Sequence, residues 1–185
     1  MEILCEEMRR LALILGLFSA IAVPAAAVGG IGAPSDGSLV VQRGQAPYNP
    51  GSAPNIPVVQ LTITGSVIGQ VTGTGKLVID AGANADAAEP QVTGAGTPHA
   101  SQRITTAQVW TGTGFKFRAV GGTYTVLVYG TGVNLVAVGT GTVRLAGQPD
   151  TPSGDGRYSL NGDDFVSLPG TQTDKRSIGS LNSIG

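Results

Sequence analysis

Side chains that carry chemistry are scarce in this chain. It has one histidine and one cysteine in 185 residues, aromatics make up 5% and charged residues 12%. Catalytic and metal sites need clustered His, Cys, Asp or Glu. Beyond residue 27 only His99, the single glutamate Glu89 and scattered aspartates remain, and no cysteine. There is no nucleophile elbow, P-loop or dinucleotide fingerprint. The expectation is a protein without catalytic residues, metal ligands or cofactor, with an enzyme of unrecognised type as the third choice of function. Without cysteine past Cys5 there are no disulfide staples, so an exported form is held by its apolar core and strand ladders. Long apolar runs are missing too. The longest, Leu11–Val23, falls short of the roughly 18 residues expected of a membrane span.

That run reads instead as the core of an export signal. Arg9-Arg10 precede it, Pro24 breaks it, and Ala25-Ala26-Ala27 supply small residues for cleavage after Ala27. The acidic stretch before it, with Glu2, Glu6 and Glu7, makes Met8 the expected true start. An uncleaved anchor is the other reading. Cleavage removes two of the 11 basic and three of the 12 acidic residues, leaving nine of each. Near-neutrality excludes the basic footprint of a nucleic-acid binder. The protein is therefore expected to be secreted or in the cell envelope, with no stable membrane span after cleavage.

What the chain has in plenty is glycine, 29 residues, set between short alternating runs. From Thr111 to Gly147, Phe115/Phe117/Ala119, Tyr124/Val126/Val128, Val133/Leu135/Ala137 and Val143/Leu145 each point one way, with their neighbours pointing the other. Period-2 alternation means half-buried β-strands. The Gly-Thr-Gly and Gly-Gly units between them read as points where the chain reverses. Val59/Leu61/Ile63 begin the same pattern, and Gly69 within the next run suggests a bulge or a close backbone approach. Asn161-Gly162 is a hairpin signal. The four Gly-Thr-Gly copies lack the fixed period of a solenoid. The fold class expected is all-β, a compact antiparallel sandwich or small barrel of about nine short strands. Longer, aromatic-girdled strands would be needed for an outer-membrane barrel.

The expected organisation is a signal segment 1–27, a Gly/Pro-rich linker 28–57 with an edge strand at Ser38–Arg43, a β domain 58–168 and a disordered tail 169–185. Ala81–Gln102 is a long loop, functional or mobile, with a short edge strand read at Pro90–Thr93. The run from Gly112 to Leu145, followed by Tyr158-Ser159-Leu160-Asn161, resembles exported glycine-rich β proteins of high-GC bacteria. The likeness covers about Ser38–Leu168. It implies export and one β domain, and carries no site residue across.

Several motifs dissolve on inspection. Leu168-Pro169-Gly170-Thr171-Gln172 nearly spells a sortase signal, but neither a hydrophobic stretch nor a basic tail follows. Asp150, Asp155, Asp163 and Asp164 lack calcium-site spacing and read as solubilising turn residues. His99 is a loop histidine without a motif partner. The charge pattern is more informative. Lys76, Lys116, Arg118 and Arg144 sit on strands opposite the apolar side chains, while the acids lie in loops. If those strands share a sheet, a basic stripe crosses it and would meet an anionic wall polymer or acidic glycan. The plainer reading is a solvated face that guards against edge pairing. Trp110, with Tyr124 and Tyr129, is a candidate sugar-stacking platform, against the plainer reading of core aromatics. The leading function is thus a non-catalytic cell-envelope or extracellular structural or interaction protein, whose partner is a wall polymer, a glycan or another envelope protein. The alternative is a glycan or anionic wall-polymer binding module. Oligomeric state is open.

Overall fold

The structure, a computed structural model, describes residues 36–46, 55–82, 87–101, 106–148 and 156–179. The expected signal segment, most of the expected linker, Asp150, Asp155 and the last six residues lie outside the described residues. The chain is all-β. Among the described residues eight strands form one hydrogen-bonded sheet: β1 Gly37–Ala46, β2 Val59–Asp80, β3 Gln91–Thr93, β4 His99–Ala100, β5 Ala107–Leu145, β6 Arg157–Leu160, β7 Val166–Ser167 and β8 Arg176–Ile178. Every pairing is antiparallel.

Two strands dominate, and their lengths correct the expectation of about nine short ones. β2 runs for 22 residues and β5 for 39. Their register explains how such lengths fit in a small chain. Leu61 pairs with both Val126 and Val143, and Ile79 pairs with Gln108 and again with Val126. Val126 therefore lies between the two ends of β2. Since neighbouring strands are about 4.8 Å apart, those ends are only about 10 Å apart across it, and β2 must wind back on itself with β5 running antiparallel beside it. The sheet is an open one whose two longest strands are coiled together. The expected all-β, antiparallel class holds.

The glycines make the coil possible, but as bends instead of reversals. Gly37, Gly139 and Gly65 lie side by side on three strands, and so do Gly130, Gly75 and Gly112. The first row is tightest. Gly65 and Gly139 have φ of 149° and 143°, and a Cβ on either would run into the backbone of the other's strand. Only glycine combines that φ with so close an approach. Gly-Thr-Gly is thus a corner at which a strand changes direction and keeps pairing.

Alternation then sorts side chains to the inside or outside of the coil. Val59, Leu61, Ile63, Val67, Val71, Leu77 and Ile79 from β2 meet Trp110, Phe115, Phe117, Tyr124, Val126, Val133, Leu135 and Val143 from β5 in one buried cluster. Of the two readings of Gly69, the close approach holds: the backbone carbonyl of Asn134 lies 3.0 Å from where a Cβ would stand. The missing Cβ leaves room for the Phe117 ring, whose Cε1 lies 2.7 Å from the same point. Tyr124 is fully buried, and its hydroxyl lies within donating distance of the carbonyls of Gly121 (2.6 Å), Ala88 (2.8 Å) and Val120 (3.2 Å). Outside, hydroxyl pairs such as Thr64–Thr123 at 2.8 Å and Thr74–Thr113 at 3.1 Å link adjacent strands.

Two expected boundaries shift, and the edge strand expected at Pro90–Thr93 forms as β3. The stretch at Ser38–Arg43 belongs to β1, which is an interior strand between β5 and β6, because Leu39 and Val41 on its inner side complete the core. The expected disordered tail contains β8, whose Ile178 is 1% exposed and pairs with Gly141. Within the long loop, β3 and β4 cover the outer edge of β5, and Val92 packs on the core. Asn161-Gly162 does turn the chain. Both have positive φ, 55° and 86°, and the Asp163 N–H donates to the Leu160 carbonyl at 3.0 Å, the geometry of a type I′ turn.

Candidate functional site

The outward side chains of β3, β5, β2 and β1 form a regular grid, because residues paired across a sheet share a face. One row is Val120, Ser66, Val138 and Ser38. The next is Gln91, Arg118, Ile68, Val136 and Val40. The third holds Thr93, Lys116, Gln70 and Asn134, with Gln42 and Arg43 at its β1 end. Most of this grid lines a groove of about 620 Å³.

Its floor is aliphatic and open to water. Ile68 is 58% exposed and Val136 47%, and in the adjoining row, outside the groove, Val138 (47%) and Val120 (45%) extend the apolar patch. A cluster of β-branched side chains on one outer face differs from the scattered apolar residues normal on protein surfaces. Lys116, Arg118 and Arg43 supply the charge, and among the described residues that line the groove there is no carboxylate. Neither Lys116 nor Arg118 has an ion-pair or hydrogen-bond partner among the described residues.

The β1 end is built more rigidly. The pairing of β1 with β5 slips between Val41 and Gly44, so Gln42 and Arg43 form a bulge. Arg43 has φ 51°, a left-handed backbone that costs a non-glycine residue about 1 kcal/mol or more. The Asn134 side-chain carbonyl accepts the Arg43 N–H at 3.1 Å, and its amide donates to the Gly132 carbonyl at 3.2 Å. Gln42 Oε1 accepts from Arg157 Nε at 2.8 Å, and the Gln42 amide N–H groups have no acceptor among the described residues. The Arg157 guanidinium in turn stacks on Phe165, 5.0 Å from the ring centroid.

The winding of the coil divides the four strand cations. Lys116 and Arg118 come together in the groove. Lys76 lies beyond the glycine corner, opposite Thr111 and Tyr129, with Nζ 5.6 Å from the Tyr129 ring centroid. Arg144 is opposite Gln60, with Leu127 on the next strand and then Val78, on the segment that carries Lys76 two residues away. No single stripe joins the four. The three aromatics are likewise separated: Trp110 is 5% exposed and faces the core opposite Leu77, Tyr124 is buried, and Tyr129 lies outside under Lys76. Trp110 therefore offers no surface for a sugar to stack on. His99 is exposed on β4 opposite Val109. Among the described residues no three His, Cys, Asp or Glu side chains converge.

Sequence reasoning found Lys116 and Arg118 and missed the floor. The signal was there: Val67-Ile68, Ala119-Val120 and Leu135-Val136-Ala137-Val138 place apolar residues on consecutive positions. In a strand with one face in the core, every second one of these must point outward. Comparison of the chain with protein-family models, with curated proteins and with solved structures returned no match, so the function is argued from this groove.

Proposed function

We propose that this chain is an exported, non-catalytic interaction protein of the cell envelope or extracellular space, and that the groove over Ile68, Val136, Lys116 and Arg118 is its contact surface. One observation carries the reading: exposed aliphatic residues are gathered beside Lys116 and Arg118, which have no partner among the described residues. Removing such a floor from water favours association at about 25 cal/mol per Å² of apolar area. Unpaired cations at its margin add charge selection and faster encounter. Export rests on the N-terminal sequence pattern, Arg9-Arg10 followed by Leu11–Val23 and Ala25–Ala27.

The test is retention of the full chain by insoluble envelope material from a high-GC bacterium, beside Ile68→Asp/Val136→Asp. These positions are exposed, so the double variant keeps the core. The expected result is retention by the parent chain and its loss in the variant, with unchanged circular dichroism. Equal retention of both proteins, or retention of neither, contradicts the reading. The absence of carboxylates from the groove favours one narrower version, a module for a glycan or anionic wall polymer.

A further inference from the structure

From the grid of side chains we infer that the groove takes a linear polysaccharide whose rings carry carboxylates, lying across the strands with about one sugar ring per strand. This rests on the groove being the contact surface and adds the ligand's chemical class, its direction and its length.

Charge comes first. Arg43, Lys116 and Arg118 line the groove, and no carboxylate is among the described residues that line it, although basic and acidic residues balance over the chain beyond residue 27. A second copy of the same face would set cations against cations, so complementarity calls for an anionic occupant. Arg118 and Lys116 stand two residues apart on one strand, as a guanidinium fork and a mobile ammonium, a pair suited to a planar carboxylate.

The arrangement of the rows decides among anions. An acyl chain with an acidic head would need an apolar channel with polarity at one end. Here the aliphatic row of Ile68, Val136 and Val40 runs beside a polar row of Lys116, Gln70, Asn134 and Gln42 for its whole length. The fitting ligand is apolar along one side and rich in hydroxyls along the other. A sugar ring has that character: its carbon face lies on aliphatic side chains while its hydroxyls meet carboxamides, which both donate and accept. Gln70 and Gln91 have no hydrogen-bond partner among the described residues, and the Gln42 amide N–H groups have no acceptor among them. A polyol phosphate offers charge but no flat carbon face. An acidic peptide would seek backbone pairing at a sheet edge, and this site is a sheet face.

The strand spacing sets the length. Strands about 4.8 Å apart match the rise of one ring in an extended glycan. Five neighbouring strand segments, from Gln91 through Arg118, Ile68 and Val136 to Val40, span about 19 Å, enough for roughly four or five rings. The bulge that holds Arg43 in a strained conformation closes the β1 end with a further cation, as expected where strain positions a functional side chain.

The experiment is calorimetric titration of the full chain with oligogalacturonates of two to eight rings, at low salt. Affinity is expected to rise with length to four or five rings and then level off. Methyl-esterified oligomers of the same length should bind about tenfold weaker or less, and Arg118→Gln/Lys116→Gln should lose about as much. Equal binding of the esterified oligomers overturns the carboxylate assignment. Equal binding of polyphosphate or polyglutamate of matched charge overturns the sugar assignment, and affinity that rises without levelling overturns the placement across the strands. If no oligogalacturonate binds while envelope retention still depends on Ile68 and Val136, the ligand class is wrong and the groove stands. If retention is also independent of those residues, both fail.

Discussion

Tyr124 and Gly69 show how single residues hold the coil. The Tyr124 hydroxyl is buried against three carbonyls, and burial raises its pKa above the ordinary value of 10. A raised pKa means the folded chain keeps its proton after the unfolded chain has lost it. The contribution is therefore complete below about pH 10 and declines as pH rises above that. Denaturant titrations across pH 8–12 should show stability falling above about pH 10. Tyr124→Phe should cost about 1–2 kcal/mol at neutral pH and show a shallower alkaline decline. An identical decline in the variant would place its cause elsewhere. Gly69 makes a different demand. A methyl there meets the Phe117 ring, so Gly69→Ala should destabilise by about 1–3 kcal/mol, and Gly69→Ala/Phe117→Leu should recover part of the loss. Both stabilities are read from chemical denaturation.

The elements divide into those whose pattern is local and those whose place depends on distant partners. Alternation in Phe115–Ala119 or Leu61–Ile63 reveals a strand and its inner side directly, and it put Lys116 and Arg118 outside. Gly-Thr-Gly is ambiguous, because positive φ serves a hairpin and a corner equally well. What separates them is whether Gly65 and Gly139 pair across strands 74 positions apart, and no short window of sequence contains that. β1 and β8 were illegible as core strands for the same reason. Their partners lie far along the chain, and β8 declares itself by one apolar residue, Ile178, in a polar stretch. Two substitutions test these assignments. At Gly139 a Cβ collides with the Thr64 carbonyl, so Gly139→Ala should cost about 1–3 kcal/mol; a free reversal would tolerate it. Ile178→Ala should cost about 2–4 kcal/mol if β8 completes the core, against no change for a detached tail. Thermal and urea unfolding measure both.

Over the whole molecule, the winding that fills the interior also sorts the outside. It divides four outward cations that sequence would align, leaving Lys76 against Tyr129 and Arg144 beside Gln60. It brings Ile68 from β2, Val136 from a later part of β5 and Val40 from β1 next to Lys116 and Arg118. The site was half legible. The charge could be read from alternation, whereas the aliphatic floor required knowing which three strands become neighbours. The threonine-bearing outer face around Thr62, Thr64 and Thr123 is bound internally by its own hydroxyl pairs and lies outside the groove. Hydrogen exchange of the full chain with and without solubilised envelope glycan separates the two faces directly. Protection confined to segments 40–43, 66–70, 91–93, 116–120 and 134–138 is the predicted result. Protection centred on 62–64 and 140–142, or no change anywhere, would contradict the assignment of the groove as the contact surface.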